Sequence, residues 1–250
     1  MSSNRGFDNE KLIAEALNGK KFSEINRNLQ TMVRDMFGYQ DDEEVISAFQ
    51  IDSMFKPDIS ITYKGQTKYV SIKSGTAKVF HGENIKSFIL FLRSKGVSKE
   101  TQKTILLFQY GDGTLDGSGK KRLDSYEARE WLHKQIKKAN MELNSNPDLI
   151  DSVLERTMYQ GLDESAPAVD FIYFGTPEYG VVVSKKQIHT YVSQRGWRYY
   201  DNLHIGPIFI KPHARYANRQ IVSVERRERV RCYWPDLMSD LDRISKRYTF

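Results

Sequence analysis

Hydrophobic and polar residues alternate strictly in two neighbouring stretches of the chain. In the first, Ile59, Ile61 and Tyr63 alternate with Asp58, Ser60 and Thr62; in the second, Val70 and Ile72 alternate with Tyr69, Ser71 and Lys73. A period of two predicts a pair of half-buried strands. Between them lies Lys64-Gly65-Gln66-Thr67. With Gly65 at the first central position, a type II′ turn is expected, because glycine takes the required positive φ without steric cost. That turn predicts a register in which Lys64 faces Thr67, Ser60 faces Ser71 and Asp58 faces Lys73. Ile59, Ile61, Tyr63, Val70 and Ile72 then share one face, and Asp58, Ser60, Ser71 and Lys73 share the other. Pro57, which lacks an N–H, is tolerated at the start of a strand.

The pattern changes to helical spacing on either side. Leu12, Ile13, Ala16 and Leu17 predict a helix over 8–18. Ile25, Leu29, Met32, Val33, Met36 and Phe37 predict another, opened by Ser23 and closed by Gly38. The acidic run 41–44 reads as a solvated loop, and 45–51 as a strand leading into the hairpin. Ile85, Phe88, Ile89 and Leu92 predict a helix over 83–95, with Glu83 in its first turn, where a carboxylate is favoured. The unbroken apolar run 104–110 predicts a central strand buried on both faces. Residues 111–124 are glycine-rich, lack Walker spacing and read as a mobile loop. Helices are expected over 125–143 and 147–160. Beyond 161–167, strands are expected over 169–174, 180–184, 205–211 and 221–224, with helices over 185–195 and 236–247. The fold class is α/β (α+β): a mixed central sheet flanked by helices over 1–165, then a β-rich basic part over 166–250.

Composition narrows the functional classes. The 250 residues carry a formal net charge of +6 and 39% hydrophobic side chains, enough for a globular core. The excess of positive charge favours an anionic partner. Cys232 is the single cysteine, so neither an internal disulfide nor a cysteine zinc site is available, and a reducing, cytoplasmic setting is expected. The N-terminal stretch has no apolar signal-peptide core, and no run has the length of a membrane span. The histidines have no metal-ligand spacing.

Pro57-Asp58, a hairpin and Ser71-Ile72-Lys73 together resemble the PD-(D/E)xK, or restriction-endonuclease-like, nuclease superfamily. Its pattern is an Asp after Pro, followed on the next strand by an acid, any residue and Lys. Here Ser71 stands where the second acid belongs. A subset of type II restriction enzymes has this Ser-x-Lys form and takes its missing acid from a Glu on the following helix. The resemblance therefore implies Asp58, Ser71, Lys73 and Glu83 as catalytic residues. Mg²⁺ (or Mn²⁺) would be held by Asp58, Glu83 and the carbonyl of Ile72. Some nucleases of this fold add a ligand from another helix; Glu10, Glu15 and Glu24 lie on helices, and Glu44 precedes the first strand. The chemistry suits the residue types: Mg²⁺ takes hard oxygen ligands, and a lysine stabilises charge developing on phosphate.

The C-terminal part supplies a possible grip. From Lys185 to Arg231, eleven Lys and Arg face three acids. Arg195, Arg198, Arg215, Arg219, Arg226, Arg227, Arg229 and Arg231 are the nucleic-acid-binding candidates, interleaved with Trp and Tyr that suit stacking. The expected activity is that of a Mg²⁺-dependent endodeoxyribonuclease of restriction type acting on double-stranded DNA, with a homodimer suited to cutting both strands. The alternatives are a non-catalytic DNA-binding protein on the same fold and a structure-specific or repair nuclease.

Overall fold

Lys64 and Gly65 both take positive φ, 47° and 71°, and this pair of residues sets the geometry of the hairpin. The computed structural model describes residues 5–247 apart from 40, 53, 76, 77, 198–201, 215, 218 and 219, with backbone alone at 5–7, 216, 217, 220, 221 and 247. In chain order the elements are α1 (Arg5–Leu17), α2 (Arg27–Phe37), β1 (Ser47–Gln50), β2 (Ile59–Tyr63), β3 (Gln66–Lys73), β4 (Val79–Asn84), α3 (Ile85–Ser94) and α4 (Lys99–Tyr110). There follow α5 (Ser125–Trp131), α6 (His133–Leu143), α7 (Pro147–Leu154), β5 (Phe171–Gly175), β6 (Gly180–Ser184) and α8 (Lys185–Ser193). The chain ends with β7 (His204–Ile205), β8 (Ile208–Pro212), β9 (Tyr216–Ala217), β10 (Gln220–Ile221), α9 (Val224–Arg227), β11 (Arg229–Tyr233) and α10 (Leu237–Arg247). The mixed α/β class is as expected.

The two parts are not divided at residue 165. One unit comprises 1–78, 158–194 and 236–250; the other comprises 79–157 and 195–235. Each is interrupted in sequence because its sheet is closed by strands far along the chain.

In the first unit, a five-stranded sheet runs β1-β2-β3-β5-β6. Strands β1, β2 and β3 are antiparallel neighbours, β5 joins β3 in parallel, and β6 returns antiparallel to β5. The place expected for 104–110 is thus taken by β5. Asp170 fastens it: its carboxylate accepts from Tyr69 N (2.9 Å), and its N–H donates to Tyr69 O (2.8 Å). Helices α1 and α2 put Ile13, Leu17, Leu29, Met32, Val33 and Phe37 into one core with Ile59, Ile61, Tyr63, Val70 and Ile72. The apolar face of the hairpin is therefore the predicted one.

The register differs from the prediction. Tyr63 pairs with Gln66 and Ser60 with Tyr69, so Lys64-Gly65 are the two turn residues. Two successive positive φ values make the turn type I′ rather than II′. Lys64 is anchored there by an ion pair with Asp41 (2.8 Å) and sits 5.4 Å from the centre of the Tyr39 ring. A shift of two residues leaves every side chain on its predicted face, but it brings Asp58 alongside Ser71 instead of Lys73.

In the second unit, β4, β11, β8 and β7 form an antiparallel sheet in that order. Residues 83–84 belong to β4, and helix α3 starts only at Ile85, because Asn84 rather than Glu83 caps it, accepting from Lys86 N. The run 104–110 is helical. Ser98 caps α4 by accepting from Thr101 N, Gly111 closes it at φ 64°, and Thr101, Ile105 and Phe108 are buried at helical spacing. The caps override an apolar run that by itself fits either element. Gln109 then donates to the carbonyls of Arg227 (2.7 Å) and Arg229 (3.0 Å), tying α4 to β11. Segment 125–143 breaks at Leu132 into α5 and α6, and β11 was not foreseen.

The glycine-rich loop is tied together by its own side chains. Asp112 accepts from Thr114 N, Thr114 Oγ1 and Gly119 N, and it pairs with the buried Arg122 guanidinium at 3.2 Å. Arg122 also donates to the carbonyls of Tyr110 and Gly117, so this cation is turned inward. Among the described residues no helix is long and apolar enough to cross a membrane.

Candidate functional site

Alternation on β2 and β3 sends Asp58, Ser71 and Lys73 to the polar side of the first unit's sheet. Asp58 sits one residue before β2, with its N–H donating to Val70 O (2.9 Å). Three donors converge on its Oδ2: Ser71 Oγ at 3.0 Å, Ile72 N at 2.5 Å and Lys73 Nζ at 3.2 Å. Lys73 Nζ also donates to Ser71 Oγ and to the carbonyl of Ile72, each at 2.9 Å. The side chains of Lys73 and Asp58 are 16% and 20% exposed, so the cluster is half-buried but open to solvent. Asp58, Ser71, Ile72 and Lys73, named from sequence as one group, are therefore assembled around a single carboxylate oxygen.

A second acid, Glu10 on α1, lies within electrostatic reach of Asp58 and Lys73. Burial and the negative charge of Asp58 raise the carboxyl of Glu10 to about 7, an effect that Lys73 only partly offsets. Glu10 was one of several helical acids with nothing in its neighbourhood of sequence to single it out. Its distinction arises only when α1 is packed on the sheet. Of the others, Glu15 pairs with Lys11 at 3.7 Å on an exposed surface, Glu24 accepts from Lys21 N, and Glu44 N and O hold backbone turns to Asp41 and Phe22.

Glu83 does not take that role. It lies on β4, in the other unit, and its side chain is 1% exposed. Oε1 accepts from Arg156 Nε (2.9 Å) and lies 3.0 Å from His81 Nε2; Oε2 accepts from Arg156 at 2.7 Å. Burial alone would raise this carboxyl, but the hydrogen bonds from His81 and Arg156 bring it down to about 2. Both oxygens are committed inside the second unit. The physical reason the sequence expectation failed is that Arg156, 73 positions away, supplies a bidentate partner with no local signal.

The donor set around Asp58 suits a hard divalent cation. Asp58 and the carbonyl of Ile72 are oxygen ligands, and Glu10 lies within electrostatic reach of Asp58. A cation arriving there would relieve the repulsion that raises Glu10. No group of three or more acidic, histidine or cysteine side chains lies together among the described residues, so main-chain oxygen, water and substrate would have to complete the coordination.

No protein-family model matches the chain, and no curated protein matches it in sequence. The function is therefore argued from the site.

Of the expected nucleic-acid contacts, Arg198, Arg215 and Arg219 lie outside the described residues. Arg195, Arg226, Arg227, Arg229 and Arg231 all belong to the second unit. Arg195 is exposed and lies over the Trp197 ring, 4.7 Å from its centre. Arg226 is exposed on α9, whereas Arg227 is half-buried with its Nε enclosed. Arg229 and Arg231 alternate with buried Val230 and Cys232 along β11 and so share its outer face.

Proposed function

We propose that the protein hydrolyses phosphodiester bonds in DNA with Mg²⁺, using Asp58, Glu10 and Lys73. The observation that carries this reading is the grouping of Asp58, Ser71 and Lys73 around one carboxylate oxygen at a half-buried place, with Glu10 within electrostatic reach. The strand order β1-β2-β3-β5, with β5 parallel to β3, supports it, because that order resembles the core implied by Pro57-Asp58 and Ser71-Ile72-Lys73.

In this reading Asp58, through Oδ1, and Glu10 hold the cation, with the Ile72 carbonyl as a third oxygen. Mg²⁺ would supply Lewis-acid stabilisation of charge on the scissile phosphate. Lys73 is held by three acceptors and keeps its ammonium at the edge of the cluster, where it donates to a phosphate oxygen as charge develops there or orients the attacking water. Ser71 holds Lys73 and Asp58 in register through its hydroxyl. Asp58 Oδ2 is fixed by its three donors, so Oδ1 is the oxygen assigned to the cation in this reading.

A second reading, nucleic-acid binding without catalysis, is favoured by one observation: the cluster has two acids, not three. The two readings separate when duplex, junction and single-stranded DNA and RNA are incubated with Mg²⁺ beside Lys73→Ala. Cleavage of DNA by the wild type and not by the variant supports hydrolysis. Equal cleavage by both, or by neither, rejects it.

A further inference from the structure

The outer face of the second unit's sheet carries a group of basic side chains with no carboxylate partner among the described residues. Arg231 on β11 stands directly opposite Lys211 on β8. His213 follows β8, with its N–H donating to Arg229 O at 2.8 Å, and its Nε2 accepts from the Arg231 guanidinium at 3.4 Å. Lys211 Nζ lies 4.1 Å from the centre of the Tyr233 ring. Lys211, His213 and Arg231 are half-buried, and Arg229 is exposed. None of the four has a carboxylate partner among the described residues. Glu228, the nearest acid in sequence, is taken by Lys86 (3.0 Å) and Asn84 (3.3 Å), and Glu225 is exposed on α9.

We propose that Lys211, His213, Arg229 and Arg231 form a binding site for a backbone phosphate of nucleic acid. Four cationic or proton-accepting groups converging on one face of two paired strands repel one another, and a structural role gives no reason to keep them together. Two of them register the repulsion. Burial and then Arg231 hold the Lys211 ammonium below its ordinary value. Burial, then Arg231, Arg229 and Arg226, do the same to His213. An anion removes the repulsion at once and supplies charge-assisted hydrogen bonds. A phosphodiester has the required charge and oxygen acceptors, and contacts of this kind position a nucleic acid without reading its bases.

His213 adds a consequence. In the free protein its Nε2 is the acceptor of the Arg231 hydrogen bond, which requires a neutral ring at that nitrogen. A phosphate offers Arg231 a charged acceptor and draws a proton onto His213. Binding at this site therefore takes up a proton, and affinity falls as pH rises through the value of the bound imidazole. The charged groups facing His213 are Arg231, Arg229 and Arg226, all permanently cationic, and Lys211 on the same face is a lysine whose proton is lost well above the imidazole range, so between pH 5.5 and 8 the ring is the group of this site that titrates.

The choice of nucleic acid as the polyanion rests on the hydrolase reading, and the test keeps the two apart. The full chain carrying Glu10→Gln, which removes the titration of that carboxyl near 7, is titrated into a labelled DNA duplex without divalent metal, and fluorescence anisotropy is followed against salt and pH. Arg231→Gln and Lys211→Gln are expected to weaken binding about five- to tenfold at moderate salt and each to lower the salt slope by about one. His213→Gln is expected to bind nearly as well at pH 8 and to lose the gain seen on going to pH 5.5. Unchanged affinity and salt slope in both Arg231→Gln and Lys211→Gln, with thermal melting confirming folded protein, would overturn the site. A pH dependence that survives in His213→Gln would overturn the proton uptake. Because no cleavage is read, loss of this site leaves the hydrolase reading standing, and absence of cleavage leaves this site standing.

Discussion

Glu10 and Glu83 are both half-buried or buried glutamates in a sheet-and-helix setting, yet their surroundings push them in opposite directions. Glu83, in the second unit, meets Arg156 and His81 and is held at about 2. Glu10, in the first, is raised to about 7 by burial and then by the charge of Asp58. The difference is one of compensation. A buried carboxylate with a bidentate guanidinium is finished chemistry; it holds a fold together and has little left to offer a ligand. A carboxylate facing another carboxylate is unfinished, and perturbation of that kind clusters where proteins bind and react. The family resemblance pointed to Glu83, and charge balance in three dimensions points to Glu10.

The contrast can be broken most severely at the lysine and the aspartate it holds. Lys73→Ala or Asp58→Asn is expected to lower DNA cleavage by about 10³-fold or more, consistent with loss of a charge-stabilising group in the transition state; single-turnover cleavage of a labelled duplex measures it. A loss under tenfold would remove the cluster from the chemistry.

Glu83→Gln addresses the other side. Leaving the half-buried Arg156 without its carboxylate is expected to cost about 3 kcal/mol of stability, read from urea denaturation, while cleavage per folded molecule stays at the wild-type level. The sign with pH follows from the lowered carboxyl. The unfolded value is near 4.5 and the folded value near 2, so the stabilisation is fully present above 4.5 and disappears as pH falls toward 2. The wild type should lose stability over that interval and the variant should lose less.

Glu10→Gln should behave in the reverse sense. With a folded value near 7 and an unfolded value near 4.5, the wild-type carboxyl holds its proton more tightly when folded. Its cost to stability grows as pH rises from 4.5 and is complete above 7. Thermal melting is expected to find the variant more stable than wild type at pH 8, by about 1–2 kcal/mol once solvent screening is allowed for, and equal to it near pH 4. The smallest effect concerns the hairpin that positions Asp58. Gly65→Ala meets no neighbouring atom within 4 Å but must adopt φ of 71°, so a loss of about 1 kcal/mol is expected from backbone strain alone, measurable by urea denaturation.

Much of the first unit could be read before any coordinates. The alternation of Ile59, Ile61, Val70 and Ile72 set both faces of the hairpin, and Gly38 ended its helix as expected. Faces survive a register error of two, which is why the polar group was right although the turn type was wrong. What escaped notice depends on pairing across long separations. Nothing near Phe171 announces that it will lie beside Val70, and nothing near Arg156 announces Glu83. The helix α4 was mistaken for a strand because an unbroken apolar run looks alike in both elements; the deciding signals, Ser98 and Gly111, stand just outside it. A lysine and a histidine two residues apart, Lys211 and His213, acquire joint meaning only when Arg231 is set opposite Lys211. Glu10 was visible as a candidate, but its partner was not.

Isothermal titration of the folded protein with Mg²⁺ or Mn²⁺ at pH 8 tests the central claim most directly. Wild type and Glu83→Gln are expected to take up the ion alike, while Glu10→Gln and Asp58→Asn lose it. Binding that survives Glu10→Gln and vanishes in folded Glu83→Gln would contradict the account.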